Sequence, residues 1–481
     1  MVTNLTMPND WPMYIGGTPR KGCGTDVRDP GSGEIIAQVP RASEADVAAA
    51  LDQAEEGARI GRSLPTHRRM EILRRAANCL EAELEAVARL IARESSKTIR
   101  EARKEAGRCV DTLRLSAEEA RRLGGEVIRF DQARGSDNRM GFWDRGPLGV
   151  VTAITPFNDP LNLVAHKVGP AIAMGNAVVL KPSEKTPLSA IKLAELLYEA
   201  GLPGPMLSVL TGSAANLGDQ LIQDARVRMV TFTGGIQTGR HIAQMVGLKK
   251  VSMELGSNSP VIILDDADLN LAARATVSGA FWAAGQNCLG VQRIFIQDSV
   301  YEEIKDRIVA LTRQLTVGDK LNEATDMGPL INEHEAQRVE AWVEDARRHG
   351  ARILTGGARH EAYYQPTILE DVPAGAIVLE EEIFGPVASL VPVRDLDEAI
   401  FHANDVNYGL QAGVFTGNLN RAFQAIRTLD VGGVMINDSS DYRIDAMPFG
   451  GVKGSGLGRE GVRFTCEAMS EPKVVCFNLE A

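Results

Sequence analysis

Aromatic side chains make up only 5% of the 481 residues, and nowhere do about 18 or more uncharged apolar residues follow one another. A membrane-crossing helix needs about that length, so no membrane partner is expected. The opening stretch, Met1 to Trp11, has neither a basic cluster nor an apolar run and does not resemble a secretory signal. The six cysteines (Cys23, Cys79, Cys109, Cys288, Cys466 and Cys476) lie far apart, with no CxxC pair and no histidine spacing suited to zinc. Reduced thiols in a cytoplasm, with no metal, are the expectation. HExxH is absent, as are GxxxxGKS and GxxxxGKT, which removes sequence support for a zinc protease or a P-loop NTPase. Basic residues are outnumbered, 52 Lys and Arg against 63 Asp and Glu, for a formal charge of -11. Such a balance favours solubility and argues against nucleic acid as a partner.

What is present is ordinary globular material, 44% hydrophobic and 24% charged, in a chain long enough for two to four domains. Short β-branched runs alternate with helical patterns, without internal repeats, and this predicts an α/β fold. Ser43 is placed to cap a helix through Ile60, and His67 to Ser95 carries apolar residues at helical spacing, so the first hundred residues are predicted to be mainly helical. From Val150 the pattern changes. Val150 to Ile154 and Ala177 to Leu180 read as buried strands around a helix-like stretch near Val164 to Ala173. Leu207 to Leu210, Met229 to Phe232 and Val261 to Leu264 extend this to a parallel nucleotide-binding sheet. A second α/β region, from about Leu271 to Asp445, has candidate strands at Arg293 to Ile296, Val387 to Val391 and Gly433 to Ile436. A cleft between two domains follows. Gly124 to Arg145 and the tail Lys473 to Leu479 read as extended segments outside either core, suited to pairing between subunits.

Cys288 sits in Gly285-Gln286-Asn287-Cys288-Leu289-Gly290, a segment unlike a regular helix or strand. A thiolate nucleophile and a buried structural cysteine both fit the residue type. Glu254 follows a short apolar strand and precedes Gly256, at the kind of strand end where α/β proteins place reactive groups. In Thr155-Pro156-Phe157-Asn158-Asp159-Pro160 the Asn158 amide lies just beyond another strand, as an oxyanion donor or an Asx-turn residue. Phe232-Thr233-Gly234-Gly235 precedes a predicted helix from Ile236, whose N-terminal N–H groups and dipole suit a pyrophosphate. In Lys181-Pro182-Ser183-Glu184, Lys181 and Glu184 could hydrogen-bond a ribose diol or simply form a loop ion pair.

Together these segments resemble the aldehyde dehydrogenase superfamily, joined in order by Glu381-Glu382-Ile383-Phe384-Gly385-Pro386 and by Pro448-Phe449-Gly450-Gly451-Val452-Lys453-Gly454-Ser455-Gly456. The match covers nearly the whole chain. The resemblance implies a Rossmann-type cofactor domain over 1–123 and 146–255, an α/β catalytic domain over 256–455, and a small β bridging arm at 124–145 and 466–481. It further implies a homodimer or homotetramer. By matched position Cys288 is the nucleophile, Glu254 the general base and Asn158 an oxyanion-hole donor. Thr155, Pro156, Phe157, Lys181, Ser183, Glu184, Gly234, Gly235, Glu382 and Phe384 would hold the cofactor. NAD is expected from Glu184, with NADP possible. A carboxylate at Glu254 favours hydrolysis to a free acid over transfer to coenzyme A. Phe157, Gly235 and Ser257 depart from the commoner Trp, Ser and Gly.

The substrate wall implied by this alignment is polar, drawing on Arg108, Asp159, Leu163, His166, Asn287, Leu289 and the loop from Ser439 to Met447, with Tyr442 its main aromatic. Arg108 and Arg443 could converge on one anion, or Arg108 could join Glu101, Glu105 or Asp111 in a solvated helix network. Asp159 would oppose an anionic substrate unless paired. The segment Tyr442 to Phe449 resembles the branch handling small polar aldehydes: lactaldehyde, glyceraldehyde or its 3-phosphate, and phosphono- or sulfo-substituted aldehydes. The expected reaction is oxidation of such an aldehyde to its acid. A dicarboxylate-forming semialdehyde dehydrogenase is the nearest alternative, and a catalytically silent protein on the same fold the remotest.

Overall fold

The computed structural model describes residues 9–22 and 24–479. Cys23 and the first eight residues, which include most of the stretch read above for a leader, lie outside them. Two large sheets organise the chain. The first has eight strands in the order Thr18–Arg20, Met13–Ile15, Leu207–Val209, Ala177–Lys181, Val150–Ile154, Val227–Thr233, Lys250–Glu254 and Gly456–Leu457. Its five inner strands are parallel, while Met13–Ile15, Thr18–Arg20 and Gly456–Leu457 add antiparallel edges. The strands Ala177–Lys181 and Val150–Ile154 are buried along their whole length, as continuous apolar runs in a doubly covered parallel sheet must be. From Val150–Ile154 the chain winds outward on one side to Ala177–Lys181 and Leu207–Val209, then returns to place Val227–Thr233 on the other side. That reversal opens a crevice at the carboxyl ends of the two central strands.

The second sheet has seven strands in the order Arg352–Thr355, Thr367–Glu370, Val387–Val393, Val291–Gln297, Ser259–Ile263, Gln411–Phe415 and Gly433–Ile436. All are parallel except Arg352–Thr355. Only Leu255 to Asn258 separate the end of Lys250–Glu254 in the first sheet from the start of Ser259–Ile263 in the second. The carboxyl edge of one sheet therefore meets the amino edge of the other.

Two expectations change here. The run Val261 to Leu264 lies in and just after Ser259–Ile263, an inner strand of the second sheet between Val291–Gln297 and Gln411–Phe415, and takes no part in the first. Its four-residue connection is too short for the crossover that would return a parallel strand to the same sheet. The first hundred residues also open with four strands, including the hairpin Gly24–Arg28 with Ile35–Pro40, before any helix. Thereafter the helical reading holds: Glu44–Ser63 starts in a reciprocal Ser43–Asp46 capping box, followed by Thr66–Ala82 and Leu84–Glu94. The long helix Ile99–Arg122 begins in a second capping box between Thr98 and Glu101.

The extended segments pair with each other. Arg139–Pro147 is hydrogen-bonded along its length to Ser470–Asn478 and also to Glu126–Ile128, in a three-stranded sheet. Residues 466–468, expected in this arm, belong instead to the helix Val462–Ala468, which packs on Ile99–Arg122 and Asn162–Ala173. No helix among the described residues is long and apolar enough to cross a membrane.

One buried carboxylate joins these layers beside the crevice. Glu105 accepts hydrogen bonds from the N–H groups of Leu161 (2.8 Å) and Asn162 (3.1 Å), at the N-terminus of Asn162–Ala173, which lacks a side-chain cap of its own. Its other oxygen receives Lys97 Nζ at 2.6 Å, and both side chains are almost wholly shielded from solvent. Glu105→Ala should therefore lower unfolding free energy by roughly 2–4 kcal/mol, because it leaves Lys97 short of a partner and two amides uncapped. Denaturant titration of the variant against the parent measures this.

Candidate active site

A cavity of about 600 Å³ opens between the two sheets and is lined by Asn158, Glu254, Cys288, Glu382, Phe384 and Arg443, among others. The cysteine arrives on a loop bent against its own preferences. The helix Leu269–Phe281 ends, and Ala283 (φ 49°), Ala284 (φ 55°) and Gly285 (φ 70°) follow in the left-handed region. Each alanine there costs on the order of 1–2 kcal/mol, so the surrounding contacts must enforce the bend. Glu101 does so by accepting the Ala283 N–H at 2.7 Å, while Gln286 donates to Ala283 O and accepts from the Ile331 N–H at 2.9 Å. A β-carbon at Gly285 would lie 2.1 Å from the Gly385 carbonyl oxygen, so this position requires glycine. Cys288 is half-buried against Leu289, Leu410 and Phe449. Burial pushes its thiol up to about 12, against the pull of the Arg443 guanidinium.

Glu254 ends its strand with the backbone carbonyl taken by the Gly234 N–H, at 3.0 Å. Both carboxylate oxygens are buried without a hydrogen-bond partner among the described residues. Burial, and then the charge of Glu460, hold this carboxyl well above the usual range. Glu460 is also buried, but Lys167 donates to it at 2.7 Å, and together with His166 and Arg443 outweighs burial and holds it down at about 2. The two neighbouring acids are thus pushed in opposite directions. The Asn158 amide makes no hydrogen bond among the described residues and faces the same cavity.

Around the crevice of the first sheet, the Thr155 N–H donates to Lys181 O at 3.2 Å, and the segment Thr155-Pro156-Phe157 crosses the strand ends. Lys181 is buried, lowered to about 8 by that burial, and donates to Pro182 O; Ser183 accepts the Lys185 N–H, and Glu184 is exposed. Gly234 and Gly235 lead into the helix Ile236–Met245, whose N-cap, Gly235, has open space where a side chain would stand. Glu382 accepts the Ser257 N–H at 2.9 Å and lies on Gly256, where a β-carbon would come within 2.2 Å of it. Burial raises Glu382 to about 7. Phe384, itself at φ 44°, meets Phe157 edge-on at 5.7 Å. Bare amides at a helix start, a buried lysine and a carboxylate on a glycine fit an extended dinucleotide. Thr155, Pro156, Lys181, Ser183 and Glu184 lie outside the cavity that holds Cys288.

The substrate-side residues divide. Asp159, Asn287, Tyr442 and Arg443 line the cavity. Asn287 folds back to accept the Leu289 N–H and donate to Trp282 O. Asp159 is paired, in contact with Lys97 and 3.5 Å from Arg108. Arg108 also lines the cavity, but Asp445 holds it through two hydrogen bonds, 2.7 and 3.2 Å; neither Glu101, Glu105 nor Asp111 is its partner. Asp445 additionally binds His166 at 2.8 Å and the Asn162 amide, and His166 lies wholly buried behind the wall. Arg443 stacks at 3.8 Å over Phe449 and keeps its Nε without a partner. Its terminal nitrogen lies 3.4 Å from His166 Nε2 and 3.6 Å from the Glu460 carboxylate, so both guanidinium groups are engaged by the protein although both line the cavity.

Sequence reasoning did not single out Lys97, Lys167, Asp438 or Glu460. Lys167 carried a signal, being a lone charge in the apolar run Leu163 to Gly169. Glu460 carried none, since its neighbours Gly458, Arg459 and Gly461 read as an ordinary loop.

A family model described as "Aldehyde dehydrogenase family" matches residues 18–475. An aspartate-semialdehyde dehydrogenase 1 of Pseudomonas canavaninivorans is 50% identical over 94% of this chain and 96% of its own length. A 3-sulfolactaldehyde dehydrogenase of Priestia megaterium is 44% identical over 99% of this chain and 100% of its own. Among solved structures, glyceraldehyde-3-phosphate dehydrogenase GapN of Methanocaldococcus jannaschii, complexed with NADP, superposes with a TM-score of 0.92 at 40% identity, covering 95% of this chain and 99% of that one.

Because the thiol is pushed up, alkylation of Cys288 by iodoacetamide should be slow at pH 7 and keep accelerating to pH 10 without a plateau. In Arg443→Met it should be slower still at each pH. Mass spectrometry of the Cys288 peptide reads both rates separately from the other thiols.

Proposed function

The chain belongs to the aldehyde dehydrogenase family, and from that premise we propose that it oxidises a short polar aldehyde to its carboxylic acid, with Cys288 as nucleophile and Glu254 as base. It is an NAD(P)-dependent enzyme. The observation that carries the reading is the gathering of Cys288, Glu254 and Asn158, from three separate elements, around one cavity.

Cys288 sulfur adds to the aldehyde carbon, and the carbonyl oxygen takes up the negative charge. The Asn158 amide and the Cys288 N–H stabilise that charge as donors that do not titrate near neutrality. The chemistry a bound nicotinamide supplies is acceptance of a hydride. A thioester on Cys288 then remains. Glu254 removes a proton from water, the hydroxyl replaces sulfur at the acyl carbon, and the acid leaves. One aldehyde, one water and one oxidised dinucleotide give one acid, one reduced dinucleotide and one proton. A carboxylate without hydrogen-bond partners suits the base, since its lone pairs are uncommitted.

For the cofactor, Gly234 and Gly235 would face the pyrophosphate, Lys181 and Glu184 the adenosine ribose, and Glu382 and Phe384 the nicotinamide end. Glu184 would repel a 2′-phosphate, which favours NAD over NADP. We assign the eight-stranded sheet to the cofactor and residues 256–455 to catalysis. The three-stranded sheet, which exposes Val127, Val474 and Phe477, we assign to a homodimer or homotetramer contact. A semialdehyde substrate yielding a dicarboxylate is the second reading, favoured by the relative named for aspartate semialdehyde.

Cys288→Ala should abolish NAD(P)H formation. Glu254→Gln should keep a single burst of about one NAD(P)H per site and slow steady turnover by roughly 100-fold or more; unchanged turnover without a burst would remove Glu254 from its role. Since Glu254 acts when ionised and its carboxyl is held high, hydrolysis-limited turnover should still be rising at pH values above the usual carboxylate range, and the rise should flatten in Glu254→Gln. A stopped-flow and steady-state pH series tests this.

A further inference from the structure

Arg443 reaches the cavity from a segment that the backbone ties to Glu460. Phe449 and Glu460 exchange backbone hydrogen bonds of 3.0 and 2.6 Å, and the Val462 N–H donates to Asp445 O at 3.2 Å, so residues 445–449 run antiparallel to 460–462. That pairing brings the Arg443 guanidinium to 3.6 Å from Glu460 Oε2, the oxygen left without a hydrogen bond among the described residues once Lys167 has taken Oε1. The guanidinium lies 3.8 Å over the Phe449 ring, and Phe449 belongs to the small apolar cluster against which Cys288 packs. Next in sequence is Gly450, where a β-carbon would stand 3.1 Å from Glu254 Oε1. Nucleophile and base therefore border the one segment that carries this arginine.

An anionic group on a substrate would find the cation taken. It would compete with Glu460 for a side chain only 8% exposed, and it would approach Asp438 and Asp441, which line the same cavity. The charge has other work nearby. Burial and then Glu460 raise the Glu254 carboxyl, against the pull of Lys167, Arg443 and Arg459. At Cys288, burial, Glu382, Glu254 and Glu460 all oppose a thiolate, and Arg443 is the cation that favours one. His166, which meets the guanidinium at 3.4 Å, is itself lowered by burial and then by Arg443, against the pull of Asp445 and Glu460.

Resting on the aldehyde-oxidising reading above, we infer that Arg443 is a positioning residue of the reaction and not an anchor for the substrate: its charge, fixed between Glu460, His166 and the Phe449 ring, lets the Cys288 sulfur and the Glu254 carboxylate carry negative charge in a buried site. Without it, Glu460 would keep a second oxygen with no counter-charge beside Glu254, and two neighbouring carboxylates would oppose each other's ionisation.

Parent, Arg443→Met and Arg443→Lys are compared on glycolaldehyde, which is uncharged, and 4-oxobutanoate, which carries a carboxylate. With both aldehydes Arg443→Met should lower kcat roughly tenfold, change KM by less than about threefold, and move the rise of kcat with pH upward by about one unit, because a base that has lost a neighbouring cation ionises later. The ratio of kcat/KM between the two aldehydes should stay within about threefold of the parent's. Arg443→Lys, which returns a charge, should recover most of kcat and of the pH position. Neither the ratio nor the pH position depends on how much of a variant is folded. A fall in the ratio of roughly tenfold or more, from loss of 4-oxobutanoate turnover alone, would make Arg443 an anchor and overturn the inference; a pH profile unmoved in Arg443→Met overturns it too. Alkylation of Cys288 by iodoacetamide, followed on the same preparations, needs no aldehyde. If no aldehyde drives reduction of NAD or NADP in the parent, the aldehyde reading fails; alkylation slowed in Arg443→Met and recovered in Arg443→Lys still upholds the action of Arg443 on the sulfur, and alkylation unchanged in both sinks it.

Discussion

Ionised groups withdrawn from water are the constraint on which this site depends. Removing a charge from water costs several kcal/mol after relaxation, and the cost is offset only where geometry supplies partners. Glu105 illustrates the solution. Its two oxygens cap the helix Asn162–Ala173 and hold Lys97, and Lys97 in turn fixes Asp159 next to Asn158. Asp445 repeats the device with Arg108, His166 and Asn162. Burial would raise the Asp445 carboxyl, but His166 and Arg108 outweigh it and keep it well below the ordinary range. Removing one member leaves its partner charged and dry, so the walls behave as connected units.

The same logic separates Glu254 from Glu460, two buried acids with different surroundings. Glu460 has a lysine, a histidine and an arginine about it, and stays ionised. Glu254 has no donor on either oxygen among the described residues, and its carboxyl is held well above the usual range. The contrast arises from placement: Glu254 ends a strand of the sheet, whereas Glu460 returns on a loop to meet Lys167 from the helix below.

The strands were legible because fully buried parallel strands are short apolar runs between turns, as Val150–Ile154 and Ala177–Lys181 are. The helix start at Ser43 was legible from a side chain that caps locally, whereas the equivalent start at Thr98 was not singled out. Sheet membership was less legible, and Val261 to Leu264 shows why: its apolar pattern is that of either sheet, and only the four-residue approach from Glu254 excludes the first. At the site, Cys288, Glu254 and Asn158 stand in motif-like segments that the fold brings to one cavity. The pairing of Arg108 spans 337 positions to Asp445, and Lys167 to Glu460 spans 293. Neither is visible to periodicity or local spacing, which sense only neighbours a few residues apart.

The left-handed bend at Ala283, Ala284 and Gly285 bears on which sequences can occupy this fold. A glycine at either alanine would relax the backbone locally, yet it would also widen the range of shapes open to the unfolded loop and to the loop carrying Cys288. Alanine restricts such angles more than glycine does, asparagine and aspartate also tolerate them, and β-branched side chains are strongly disfavoured there. The segment is thus confined to a narrow alphabet by backbone geometry alone, independently of any contact with a reacting molecule.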